Sequence, residues 1–207
     1  MKSIVIFFGL AFLSVSGCVN FSPMPDPSRF FTLTPLPQTE QLHARSTDKT
    51  NGLFVGIAPI RFPGYLDREQ IVTRAAQNRL AILENDRWAE PLEENFTRVL
   101  AQNLGILLSG ARIIRYPWQT SQRPTCQIQM EVLRFEPSTR QEVELLARWA
   151  LIDLGNKTPF SSKESRIVRQ TGTKSMEASV AGLSETLGDL SREIADTILA
   201  RFRPDDR

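Results

Sequence analysis

The chain is poor in the side chains that carry most enzyme chemistry. It has one histidine and two cysteines in 207 residues. A nucleophile–base pair would have to be built from the lone His43 and Cys126, and nothing in their spacing brings them together. There is no glycine-rich phosphate loop, no HExxH, no GxSxG and no Cys/His cluster at metal-ligand spacing. These absences point away from an enzyme and from a metal or other cofactor. Neither sign of charge dominates, with 25 Lys+Arg against 23 Asp+Glu, so the basic footprint of a nucleic-acid binder is missing. No apolar run beyond the N-terminus approaches the roughly 20 residues of a membrane span; the candidate that contains Leu104 to Leu108 is interrupted by polar residues on both sides. Repeats of solenoid type are absent too.

What the chain does have is a distinctive start. Lys2 supplies a positive charge, Ile4 to Leu13 form an apolar core, and Val15-Ser16-Gly17-Cys18 follows. A short apolar run closed by small residues is the pattern of a secretory leader rather than a spanning helix. With cysteine at the cut, the four residues resemble a bacterial lipobox, in which the cysteine is lipidated and becomes the first residue of the mature chain. The lipid on Cys18, of palmitate type, would be the only group attached to the protein. Several acyl chains, each contributing about 0.8 kcal/mol per buried CH₂, hold a protein on a bilayer without crossing it. Val19 rather than aspartate follows the cysteine, which favours the outer over the inner membrane in enteric-type bacteria. Removing residues 1–17 leaves about 190 residues with a charge of about +1, the size of one ordinary domain. Cys126 is then the only free thiol, in a strand-like alternating segment that points to burial.

Asn20 to Pro27 carries three prolines and reads as an extended tether. Phe30-Phe31-Thr32-Leu33 predicts a short strand, and Gln38 to Asn51 a polar loop holding His43. Leu53 to Ile60 is a near-continuous apolar run suited to a buried strand. Gln70–Arg74 and Arg79–Leu83 predict a hairpin. Beyond Pro91, the positions Leu92, Phe96, Val99, Leu100, Leu104 and Leu107 recur at helical spacing, up to a stop at Gly110. Strands are expected at Arg112–Tyr116, Cys126–Val132, Glu142–Asp153 and Ser165–Thr171, with a turn at Asn156–Pro159; the last three form an antiparallel meander. A long helix begins near Ser175, with Met176, Val180, Leu183, Leu187, Leu190, Ile194 and Ile198 on one face and Gly182 and Gly188 allowing close approach to the sheet. The expected fold is α+β, a mainly antiparallel sheet with two amphipathic helices on one face. The division is a leader (1–17), a lipidated cysteine with its tether (18–28), one domain (29–203) and a polar tail (204–207).

Val55-Gly56-Ile57-Ala58-Pro59-Ile60, Pro63-Gly64-Tyr65-Leu66-Asp67, Ile71-Val72-Thr73-Arg74 and Asn85-Asp86-Arg87-Trp88-Ala89-Glu90-Pro91-Leu92 together resemble the PqiC family of ABC-type transport auxiliary lipoproteins. Phe30 to Leu33, the last helix from Leu183 to Ile198 and the lipobox fit the same family. The specific part runs from Tyr65 to Leu92. The resemblance implies a non-enzymatic envelope component that faces the periplasm from the outer membrane. Its partner would be an MCE-domain protein forming a periplasm-spanning tube for lipid traffic, and the system would support membrane integrity. A ring-shaped partner favours a cyclic homo-oligomer. Within the matched motif, Tyr65, Leu66, Arg74, Trp88 and Pro91 are the candidate partner-interface positions. For Trp88 the competing role is core packing, for Tyr65 a turn cover, and for Arg74 a structural ion pair. The alternative of a different class is an assembly factor or structural partner of an outer-membrane β-barrel; an unrecognised hydrolase is a third.

Overall fold

In a computed structural model, residues 26–43, 50–119 and 123–202 are described. The expected leader, Cys18, the expected tether up to residue 25 and the expected tail beyond residue 202 lie outside them. The strands are β1 (Arg29–Phe31), β2 (Phe54–Ile57), β3 (Gln70–Ala76), β4 (Arg79–Trp88), β5 (Arg112–Arg115), β6 (Cys126–Pro137), β7 (Glu142–Asp153) and β8 (Thr158–Gln170), with helices α1 (Leu92–Leu107) and α2 (Met176–Arg201). The fold is α+β. Its strands divide between two mixed sheets, ordered β1-β4-β3 and β5-β2-β6-β7-β8. The meander β6-β7-β8 is antiparallel, while β1 runs parallel to β4, and β2 runs parallel to both β5 and β6.

Both helices lie on one face of the larger sheet. α2 packs along β6, β7 and β8, and α1 packs along β5 and against α2. The core between the layers takes Phe96, Val99, Leu100 and Leu104 from α1 and Leu183, Leu187, Leu190, Ile194 and Ile198 from α2. It closes on Val143, Leu145, Ala147, Trp149 and Leu151 of β7, the alternate residues of one pleat face. The Ser175 side chain caps α2 by accepting from the Ala178 N–H at 3.1 Å. Gly110, at φ +99°, turns the chain after α1.

Several boundaries differ from the sequence reading. β4 runs on to Trp88, because its last residues are held by β1 in the register Arg29↔Asp86 and Phe31↔Trp88. β8 starts at Thr158, and Pro159 fits there because β8 is an edge strand whose pairing is irregular at that end. Gln38–His43 forms a 3₁₀ helix within the expected loop. Gly182 does lie on the sheet, where an added Cβ would meet Val143 Cγ2 at 3.0 Å. Gly188 instead faces Leu36, at 2.7 Å from such a Cβ.

Leu36 belongs to a strap, residues 32–40, that lies on the helix pair. Its backbone N–H groups are taken up by helix side chains. Leu33 N–H donates to Asn95 Oδ1 (3.2 Å), Thr34 N–H to Ser184 Oγ (3.1 Å) and Leu36 N–H to Asn103 Oδ1 (2.8 Å). Glu40 accepts from Arg192 Nε at 3.0 Å. A loop without strand partners thereby satisfies its buried donors.

Candidate docking groove

The segment 59–69 leaves β2, makes a 3₁₀ turn at Gly64–Leu66 and leads into β3. The segment 88–93 joins β4 to α1. These two stretches face each other across a groove of about 780 Å³, with Phe30 of β1 at its side. Leu66 (3% exposed) and Trp88 (5%) lie in its lining and belong to the core, while Pro91 is exposed beside them. Phe30 is 63% exposed, the most of any large apolar side chain among the described residues. Phe62 lines the groove and stacks edge-on against Phe96, centroids 5.3 Å apart, which in turn stacks on Phe135 at 5.2 Å. The groove is thus continuous with the core through aromatic contacts. Asp67, Arg68, Glu69, Glu90 and Glu93 add charge to its lining, and Glu90 is fixed by Arg98 of α1.

Of the five positions singled out from sequence, Leu66, Trp88 and Pro91 come together here. Tyr65 and Arg74 do not line the groove; they meet on Glu136. The Tyr65 phenol donates to Glu136 Oε2 at 2.8 Å, and Arg74 Nε donates to Oε1 at 2.7 Å. Phe135 N–H adds a 3.0 Å bond to Oε2. Glu136 is only 2% exposed. Burial, followed by the negative charge of Glu136, holds the Tyr65 hydroxyl proton well above the ordinary range. Arg74 gains a firmer hold on its proton from Glu136, although its own burial works the other way.

Glu136 was missed by the sequence reading, and the reason is local. A bulge between Val132 and Arg134 shifts the alternation of β6 by one residue. Ahead of it Ile128, Met130 and Val132 face the core; beyond it Phe135 does. The shift turns Glu136 away from the helices, toward the end of β3. There Ser138 bridges Arg74, and Thr139 N–H donates to the Arg74 carbonyl at 3.2 Å. The Tyr65–Glu136–Arg74 cluster therefore fastens the small sheet to the large one.

The groove offers apolar walls with a charged border. Among the described residues no group of three His, Cys, Asp or Glu side chains is placed to hold a metal ion. Cys126 is fully buried, and burial, with a smaller contribution from Asp153, pushes its thiol up to about 12, leaving it protonated at neutral pH. The groove's apolar walls suit it to receiving an apolar segment.

A family model described as "ABC-type transport auxiliary lipoprotein component" matches residues 31–195. Among solved structures, an uncharacterized protein is similar at 18% identity with a TM-score of 0.68, over 83% of this chain and 98% of that one. Protein XCC0632 from Xanthomonas campestris, of the family model DUF330, is similar at 13% identity with a TM-score of 0.67, over 84% and 95% of the two chains. At these identities the two structures show a common fold. No curated protein matches the sequence closely enough to count as a relative.

Proposed function

Since the chain belongs to the family of ABC-type transport auxiliary lipoprotein components, we propose that it is held at the outer membrane by lipid on Cys18 and docks a periplasm-spanning MCE-domain protein of a lipid-transport system. The family description makes it an accessory to transport. The observation that carries the finer reading is the groove. Its walls are built from the two stretches of the family motif, and it combines exposed Phe30 and Pro91 with a floor rooted in the core. Exposed apolar surface next to a rigid floor is what a stable docking site needs. In a cyclic homo-oligomer, copies of the groove would form a ring below the membrane, matched to a ring-shaped partner.

The test is capture from gently solubilised membranes, with mass spectrometry of what co-purifies. The wild-type lipidated protein should bring down an MCE-domain protein. Phe30→Asp should lose it while keeping the wild-type melting temperature, because Phe30 is exposed. Recovery of a β-barrel alone would replace this reading with the assembly-factor one.

A further inference from the structure

A second surface lies beside the groove. From Asn95 to Met130 the sequence holds no aspartate or glutamate. Its arginines include Arg112 and Arg115, at the two ends of the edge strand β5, and Arg123 in the crossover that follows. All three are exposed, and among the described residues none of them forms an ion pair. Arg112 lies over the Phe54 ring at 4.9 Å. Between Arg115 and Arg123 the chain presents Tyr116, 58% exposed, edge-on to Trp118 with centroids 5.4 Å apart. This pair is held in place by a glycine. Trp118 and Pro124 lean on Gly56 of β2, where a Cβ would come within 3.2 Å and 2.7 Å of them.

The strip is also close to where the chain leaves the domain. Tyr116 and Phe30 line adjoining concavities that share Pro59 and Glu93. A chain from Cys18 to Arg29 spans at most about 40 Å. Glu93 and Glu94, at the start of α1, line the same concavity as Arg115, and among the described residues neither pairs with it. Unpaired arginines around a Tyr–Trp pair match the headgroup layer of an anionic bilayer, where aromatic rings seat at the interface and each basic residue strengthens attraction roughly five-fold.

We propose that the β5 edge, through Arg112, Arg115 and Arg123 around Tyr116 and Trp118, rests on an anionic phospholipid surface and sets the orientation of the domain under its anchor. The inference rests on the lipid-anchor reading above. The groove then opens beside the membrane rather than at a random angle to it.

The experiment uses the lipidated protein on phosphatidylglycerol-containing vesicles that carry a brominated phospholipid, a contact quencher of tryptophan. Trp88 and Trp149 are buried, so Trp118→Phe supplies the background. The expected result is flotation with the vesicles and quenching well above the Trp118→Phe level. Phosphatidylcholine vesicles, and a variant carrying Arg112→Gln, Arg115→Gln and Arg123→Gln, should each reduce that quenching at least about three-fold. These exposed changes should leave the melting temperature unchanged. Flotation with quenching no greater than in Trp118→Phe overturns the inference and leaves the anchor standing. Equal quenching on neutral vesicles overturns the role of the arginines. Failure to float removes the anchor and this inference together. Trp118 shielded by an added MCE-domain protein but never by lipid would make the strip a protein interface instead.

Discussion

Tyr65 and Glu136 are joined by a 2.8 Å hydrogen bond between a turn that opens the small sheet and the bulged end of β6 in the large one. Arg74 of β3 completes the contact from the other carboxylate oxygen. The groove is formed by residues next to this junction, so its shape depends on a contact that does not line it.

Removing that contact should cost stability out of proportion to its size. Glu136→Gln leaves the Arg74 guanidinium without its charge partner and is expected to cost about 3 kcal/mol, the low end for a broken buried pair because Arg74 keeps some water contact. Tyr65→Phe should cost less, about 1.5–2 kcal/mol, the value of one bond to a charged acceptor. Urea unfolding gives both numbers. An Arg74→Met, Glu136→Met double change as stable as wild type would show that the cluster secures the arrangement of the sheets and adds little net stability.

Gly56→Ala tests the support of the aromatic strip. The added methyl meets the rigid Pro124 ring at 2.7 Å and Trp118 at 3.2 Å. A loss of about 1–3 kcal/mol is expected, the usual range for overpacking, together with a red shift of Trp118 emission as the ring moves into water. Unchanged stability and emission would mean that the crossover yields freely and Gly56 pins nothing.

How far the sequence led can be read from single residues. α1 and α2 were legible because each buries a regular stripe, and the ends of β7 fell at Glu142 and Asp153 because an antiparallel central strand alternates without interruption. The groove was half legible. Leu66, Trp88 and Pro91 were picked out by their motif, but not the partner that draws Tyr65 and Arg74 to one point. Glu136 was hidden because its place depends on a bulge, and a bulge breaks the alternation on which pattern reading relies. The pairing of β1 with β4 was hidden too, since a three-residue strand carries no period and its partner lies 57 residues away, as Arg29 and Asp86 show. Asn95 and Asn103 are fully buried on α1 because their partners are backbone donors of a distant strap, which no local pattern encodes.

That strap yields a separate prediction. Asn103 accepts from Leu36 N–H and donates to Ser191 Oγ at 3.1 Å, and all three groups are buried. Asn103→Leu leaves a buried backbone donor unpaired at a cost of about 1–3 kcal/mol. The loss should be local. Hydrogen exchange at Leu33 and Leu36 should quicken while amides in β7 stay protected. Uniform quickening across the chain would instead make the strap part of the global folding unit.

The alkaline limb of the stability curve should be set by two buried protons. The Cys126 thiol is raised from 9.0 to about 12, mainly by burial, and the Tyr65 phenol is raised above its ordinary 10.0 by burial and by Glu136. In each case the folded chain keeps a proton that the unfolded chain releases. The stability this provides is therefore complete below pH 9 and is lost as pH rises toward the folded values. The slope should reach up to about 1.4 kcal/mol per pH unit for each group. The thiol acts first, since its unfolded value is the lower. Cys126→Ala should accordingly flatten the curve between pH 9 and 10 even though it lowers stability at neutral pH by emptying a core position. Tyr65→Phe should leave that interval unchanged and flatten the curve only above pH 10. Urea unfolding followed from pH 8 upward separates the two. If the wild-type curve is already flat, or if both variants keep its full slope, neither proton is held by the folded chain in the way the Tyr65–Glu136 contact and the burial of Cys126 require.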